Sequence, residues 1–232
     1  MYKRKLMFFL IFNGFALSLF AQSAGLNFTL GFPSGEFKDQ VKRTGIGLSG
    51  QFLLFTPNPA LPFSAGINIG YLNYGSESRL EPFSSTIPDV TVDVDRTNNL
   101  VNFHVLFQLI PPSGIVRPYL EGLFGGAYLF TETSIKSRGT EEVASSTNYD
   151  DFAWSYGGGG GFMIQVAGPS DDFSSIFIDL KARYLLGSEA EYLKEGSVTI
   201  EPGRVIYNPS KSKTDLITAN IGVVLYFNSI FD

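Results

Sequence analysis

The sequence predicts an all-β protein, an eight-stranded antiparallel up-and-down transmembrane β-barrel. Three observations predict it. Apolar and polar residues alternate with period two in eight separate segments, the signature of strands. The face opposite the apolar one is built from Gly, Ser and Asn, which suit a cramped interior, whereas a soluble sheet shows water a face of Lys, Glu and Thr. Short turns and long polar links alternate between the segments, as they do in barrels with both termini on one side of a bilayer.

The chain opens MYKRKLMFFLIFNGFALSLFAQSAG. Lys3, Arg4 and Lys5 precede an apolar run from Leu6 to Phe20, and small residues follow at Ala21 and Ser23. A basic start, an apolar stretch too short to span as a helix and a small-residue cleavage site read as a secretory signal peptide. Residues 1–23 are therefore expected to be the signal, cut between Ala21 and Ser23, and residues 24–232 the barrel domain. Losing those three cations leaves 14 basic residues against 22 acidic ones, so the mature net charge is -8 instead of -5. An acidic chain without a basic stripe speaks against nucleic acid. There is no Cys. An exported chain without disulfides needs another source of stability, and a closed ladder with no free edge supplies one.

The first strand is expected in AGLNFTLGF, where Leu26, Phe28, Leu30 and Phe32 oppose Gly25, Asn27, Thr29 and Gly31. TGIGLSGQFLL sets Ile46, Leu48, Phe52 and Leu54 against Gly45, Gly47, Ser49 and Gln51. PFSAGINIGYL does the same with Phe63, Ile67, Ile69 and Tyr71 opposite Ser64, Gly66, Asn68 and Gly70. In LVNFHVLFQL, Val101, Phe103, Val105 and Phe107 face away from Asn102, His104 and Gln108. VRPYLEGLFGGAYLF places Leu120, Phe124, Tyr128 and Phe130 opposite Arg117, Tyr119, Glu121 and Gly125.

FAWSYGGGGGFMIQV, residues 152–166, holds five consecutive glycines. A flexible linker would be flanked by small polar residues, and a phosphate loop would open a helix. Here Trp154, Tyr156, Phe162, Ile164 and Val166 share one parity, with Ser155, Gly157, Gly159, Gly161 and Gln165 on the other, so the run is read as strand. Gly157, Gly159 and Gly161 should make room for bulky side chains inside a narrow barrel, while Gly158 and Gly160 face lipid. SSIFIDLKARYLL sets Ile178, Leu180, Ala182 and Tyr184 against Asp179, Lys181 and Arg183, and DLITANIGVVLYF closes the set.

The links at 56–62, 110–115 and 167–173 are short; those at 33–44, 74–98, 131–151 and 187–214 are long and polar. Aromatics gather at the segment ends, as the two girdles of a membrane barrel do. The expected interface set is Phe32, Tyr71, Phe130, Trp154, Tyr156, Tyr184 and Phe227.

RPYLEGLFGGAYL resembles the Pro-Tyr and Gly-aromatic strand of the small outer-membrane β-barrels of OmpA and OmpX type, and KSKTDLITANIGVVLYF resembles their closing strand and that of PorT-like members. The terminal aromatic is displaced, because NSIFD follows Phe227. The resemblance implies a location in the outer membrane of a Gram-negative bacterium and a barrel surrounded by lipid and lipopolysaccharide. The expected state is a monomer.

Candidate chemistry is sparse. His104 is the only histidine and is inward by parity, with no Ser or carboxylate at a recognisable catalytic spacing. Arg117, Glu121, Asp179, Lys181 and Arg183 also project inward and are expected to form, with His104, a charge network filling the lumen. DVDRTNN at 93–99 has oxygens at alternate places but lacks the Gly and closing Glu of a calcium loop, and reads as a surface loop. VTIEPGRVIY at 198–207 reads as a raised hairpin able to meet proteins by strand addition. No catalytic set, cofactor or metal site is expected. The function expected is a non-enzymatic structural or surface-interaction role through the long loops, with surface or secretion-machinery proteins as partners. The alternative is binding or transport of a small solute through the lumen.

Overall fold

Eight of the strands close into one barrel. The computed structural model describes residues 22–55, 57–84, 87–136, 142–170, 173–201 and 204–227; residues 1–21 of the expected signal at 1–23, Pro202 and Gly203 of the expected hairpin, and residues 228–232 lie outside them. The strands are β1 (Ser23–Pro33), β2 (Gly45–Leu53), β3 (Phe63–Ser84), β4 (Ile87–Leu109), β5 (Val116–Lys136), β6 (Glu142–Ala167), β7 (Phe173–Gly187), β8 (Glu189–Tyr192), β9 (Val198–Glu201), β10 (Arg204–Tyr207), β11 (Ser210–Lys213) and β12 (Leu216–Phe227). The barrel order is β1-β12-β7-β6-β5-β4-β3-β2, with every neighbour antiparallel. Closure joins the two ends of the chain. Gln22 N donates to Leu53 O at 2.9 Å and Phe227 N donates to Gln22 O at 3.0 Å. The ladder thus begins before the expected boundary at residue 24, and a cut ahead of Gln22 keeps these bonds.

The barrel is inside-out relative to a soluble one. Leu26, Phe28, Leu48, Ile69, Phe103, Val105, Phe124, Phe162, Leu180 and Ile221 are exposed, while Asn27, Ser49, Asn68, His104, Ser155, Asp179 and Asn220 are buried. Such a belt is unfavourable in water and at home in hydrocarbon. Among the expected girdle residues, Phe32, Tyr71, Trp154, Tyr156 and Tyr184 are exposed on the outer wall, whereas Phe130 and Phe227 are half-buried.

Two expectations about the long links change. Residues 74–98 and 131–151 are not loops for most of their length: β3 to β6 run on through them, for 22, 23, 21 and 26 residues. A bilayer needs about 9–11 residues per tilted strand, so these four stand well beyond it as a sheet. There both faces carry charged and polar side chains, Asp93, Asp95 and Thr97 on one and the buried Arg96 and Asn98 on the other, so the alternation fades and a strand reads as a polar loop. The link at 33–44 contains a helix, α1 (Gly35–Gln40). Gly35 turns the chain with φ +53, Glu36 lies in the first turn, and Phe37 and Val41, four apart, bury one face. β9 and β10 form the expected hairpin, but as a separate two-stranded sheet, not an extension of the barrel. The supposed loop at 93–99 lies in β4.

Candidate functional site

The lumen is where the charged residues meet, and the glycine run is what lets them. In register, β6 lies between β5 and β7, with Gly159 between Glu121 and Arg183 and Gly161 between Tyr119 and Lys181. Next-nearest strands are roughly 10 Å apart, so their side chains meet only by crossing the strand between them. Over Gly159 the Arg183 guanidinium donates to Glu121, Nε to Oε1 at 2.6 Å and Nη2 to Oε2 at 3.2 Å. Over Gly161 the Tyr119 hydroxyl donates to Asp179 Oδ1 at 2.6 Å. A Cβ on Gly159 would lie 2.3 Å from the Ala182 carbonyl oxygen and 3.0 Å from Arg183 Cγ, and one on Gly161 2.4 Å from the Leu180 carbonyl oxygen and 2.9 Å from the Tyr119 hydroxyl. The opposite parity faces lipid: a Cβ on Gly158 would approach only the Glu121 carbonyl oxygen, at 3.1 Å.

The network extends across the interior. Lys181 Nζ donates to Asp179 Oδ2 at 2.8 Å and to Gln51 Oε1 at 2.5 Å; Arg183 Nη1 donates to Asn68 Oδ1 at 2.9 Å; Gln108 Nε2 donates to Glu121 Oε2 at 3.1 Å. Every charge is paired and bridged to an amide, the condition for tolerating ions at this depth. Four of the six residues expected in the network, Glu121, Asp179, Lys181 and Arg183, are in it. Arg117 is not. Its guanidinium sits 4.6 Å from the Phe177 ring centroid and 5.8 Å from that of Tyr226, with Nε donating to Gly114 O, at the short-turn mouth. His104 stands beside the network, its Nε2 3.0 Å from Ser155 Oγ. This Ser–His contact joins residues 51 apart through the β4–β5–β6 register, so no sequence spacing announces it. Both residues are buried and no carboxylate orients Nδ1, so it lacks the third member and the access of a hydrolytic set.

Apolar clusters stop the lumen at both ends. At the short-turn mouth Ile110, Tyr119, Met163, Phe177, Val224 and Tyr226 pack together. At the long-loop end α1 lowers Phe37 onto Tyr74 and Tyr192, edge to face with ring centroids 5.7 and 5.1 Å away. Burial pushes both phenols up from their ordinary pKa. In the standing sheet, Lys136 Nζ donates to Asp95 Oδ2 at 2.6 Å and, with Ser78, holds that carboxyl below its ordinary pKa. Asp95 and Asn98 of the weighed calcium motif thus serve the sheet, Asn98 accepting from Thr131 Oγ1 at 2.8 Å. Among the described residues no three His, Cys, Asp or Glu are grouped to hold a metal.

A closed even-stranded ladder, an apolar outer belt, aromatic rims and a polar filled interior now stand together. This is an outer-membrane-type β-barrel. No family model matches the chain, and no curated protein does. Among solved structures it is similar to neisserial surface protein A, at 11% identity over 88% of this chain and 95% of that one, with a TM-score of 0.38. It is also similar to Ail, the attachment invasion locus protein of Yersinia pestis, solved with the heparin analogue sucrose octasulfate, at 15% identity over 88% and 94%, TM-score 0.30. The N-terminal barrel domain of Pseudomonas aeruginosa OprF matches at 10% identity over 88% and 97%, TM-score 0.33. The barrel's closure and belt are evident from its own ladder and exposure.

Proposed function

We propose that this barrel sits in the outer membrane as a non-conducting, non-enzymatic scaffold, and that its work is done at the cell surface by the sheet of β3–β6. The observation that carries this reading is an open sheet edge. Pairing between β2 and β3 ends at Ile46 and Asn73, whereas β3 continues to Ser84. On the other side, β6 is shielded where it leaves β7: Ser188 N donates to Trp154 O, and Glu191 N to Asp151 Oδ2, both from the β7–β8 region. Arg43 donates to Ser76 O from the direction β2 would occupy. Beyond this capped carbonyl, Ser78 and Leu80 share the outward parity of Ser76, and there an extended segment of another surface protein can add as a strand. Leu80 is 64% exposed, an apolar side chain standing clear of the lipid belt. The alternative, solute passage, has against it an interior filled by paired charges and stopped at both ends.

The protein should fractionate with outer membranes and migrate faster unheated than boiled in detergent gels; recovery in the soluble periplasm would overturn the location. Leu80→Pro removes one outward N–H without touching the barrel, and should deplete the proteins cross-linked to the intact barrel on cells. An unchanged cross-linked set rejects the edge as the contact.

A further inference from the structure

The sheet of β3–β6 has a second open edge. β6 pairs with β7 only from Ser155 to Ala167, and outward of the Ser188 and Glu191 contacts its ladder partner among the described residues is β5 alone. Ser145, Ser146 and Thr147 are exposed there. Edge strands are ordinarily blunted by Lys, Pro or an inward charge, and these three residues supply none of them. On the opposite edge Leu80 stands exposed.

Direction decides which edges can meet. The standing sheet has four antiparallel strands, an even number, so β3 runs away from the membrane and β6 runs back. Copies in one membrane share an orientation. Two β3 edges related by a half-turn about the membrane normal would run the same way and cross at roughly 70–90°, twice the strand tilt, which permits no ladder. β3 of one copy and β6 of a copy displaced sideways have the same inclination and opposite directions, as an antiparallel pair requires.

Height fixes the register. The row of paired residues that starts at Phe63, the foot of β3, passes Leu109 and Leu120 and reaches β6 at Gly160, well above its foot at Ala167. Rows therefore climb towards β6. The row from Leu80 passes Asp93 and Lys136 to Glu142, the outer end of β6. Displacement in the membrane plane offsets this by the tilt accumulated over four strands, roughly 13–19 Å or four to six residues, and sets Leu80 beside residues 146–148 of the neighbour. Pro82 has no N–H to give, so the shared ladder is short. Confinement of both copies to one membrane supplies the effective concentration that so short a ladder needs.

We infer that β3 of one copy pairs antiparallel with β6 of the next in the same membrane, so that the standing sheet continues from barrel to barrel as an open row. The inference rests on the open-edge reading of β3 and names the occupant, a second copy of this chain, in place of the monomer expected from the sequence. The chain has no Cys, so introduced thiols report contacts without background. A tagged Leu80→Cys copy would be co-expressed with an untagged Ser146→Cys, Thr147→Cys or Asn148→Cys copy, and the outer membranes mildly oxidised, heated and run on non-reducing gels. Unheated mobility checks that each variant closes. Directly opposed residues of paired strands lie within disulfide reach. One of the three combinations should give mixed dimers at a severalfold higher yield than Leu80→Cys with Ser210→Cys, which lies off the sheet edge in β11. Joining Leu80→Cys and the responding β6 substitution in one chain should give dimers, trimers and longer series, because every copy added keeps one edge open. Equal yield from Leu80→Cys alone, a series that stops at dimers, or no combination above the Ser210→Cys background overturns the row. If Leu80→Pro still depletes other cross-linked proteins after such a failure, the open edge stands and only its assignment to a second copy falls.

Discussion

At the scale of single residues, the glycine run converts backbone into space for ion pairs. Removing one partner shows its value. Glu121→Gln leaves the Arg183 guanidinium buried with no countercharge, and breaking such a pair costs about 3–5 kcal/mol, whereas exchanging both partners for apolar residues is often neutral. Urea unfolding in lipid vesicles should show the large loss in Glu121→Gln and recovery in Glu121→Leu with Arg183→Met; no recovery would mean that the pair's environment, not its charge balance, governs stability. The parity of the run is testable by the same measurement. Gly159→Leu drives a side chain into the Ala182 carbonyl and the Arg183 stem, and overpacking of this kind costs roughly 1–3 kcal/mol or more. Gly158→Leu adds apolar surface towards lipid and should cost less. Gly160 is a poorer control, because its Cβ would lie 2.8 Å from Tyr119 O and 3.2 Å from Leu120 Cδ2. Should Gly158→Leu be the more damaging, the inward and outward faces of β6 are reversed.

Among the elements, α1 is the one that period-two reading passes over. Six residues are too few to raise a helical stripe, and the cue that was present, Phe37 and Val41 four apart behind a first-turn Glu, is short enough to hide in a polar link. The membrane halves of the strands were legible because lipid enforces alternation, as at Leu26, Phe28 and Phe32 or Phe103, Val105 and Phe107. Their outer halves are not, since polar side chains occupy both faces there, the buried one included, as at Arg96, Asn98 and Thr131. The lumen residues are legible as inward-pointing, Ser155 among them, but which of them touch depends on register across three strands, so parity alone groups Arg117 with charges it does not meet and does not show that Ser155 neighbours His104. The stopper role of α1 gives the element-scale prediction. Phe37→Ala removes a fully buried ring and should destabilise the fold by about 3–5 kcal/mol. It should still not conduct in planar bilayers, because Phe177 and Tyr226 close the other mouth. Steady single-channel current in this variant would refute a two-ended seal.

For the whole molecule, sidedness follows from which end carries the standing sheet. Cys placed at Ser145 in β6 or Ser210 in β11 should react with an impermeant thiol reagent on whole cells, and Cys at Asn58 in the β2–β3 turn should not. Equal labelling of all three would invert or abolish the orientation. The seam where β1 meets β12 has a further meaning, for the order of events when the chain acquires its structure. Ser23 pairs with Tyr226, so the contact that completes the barrel spans nearly the entire sequence and can form only after the last strand exists. Contacts of such separation are slow to find. Until this one forms, two unpaired strand edges would lie in hydrocarbon at a cost of several kcal/mol for each unsatisfied group, so no partial barrel persists there. Insertion of this chain is therefore an all-or-none event timed by its C-terminal strand, and a truncation ahead of Leu216 should leave no smaller barrel behind.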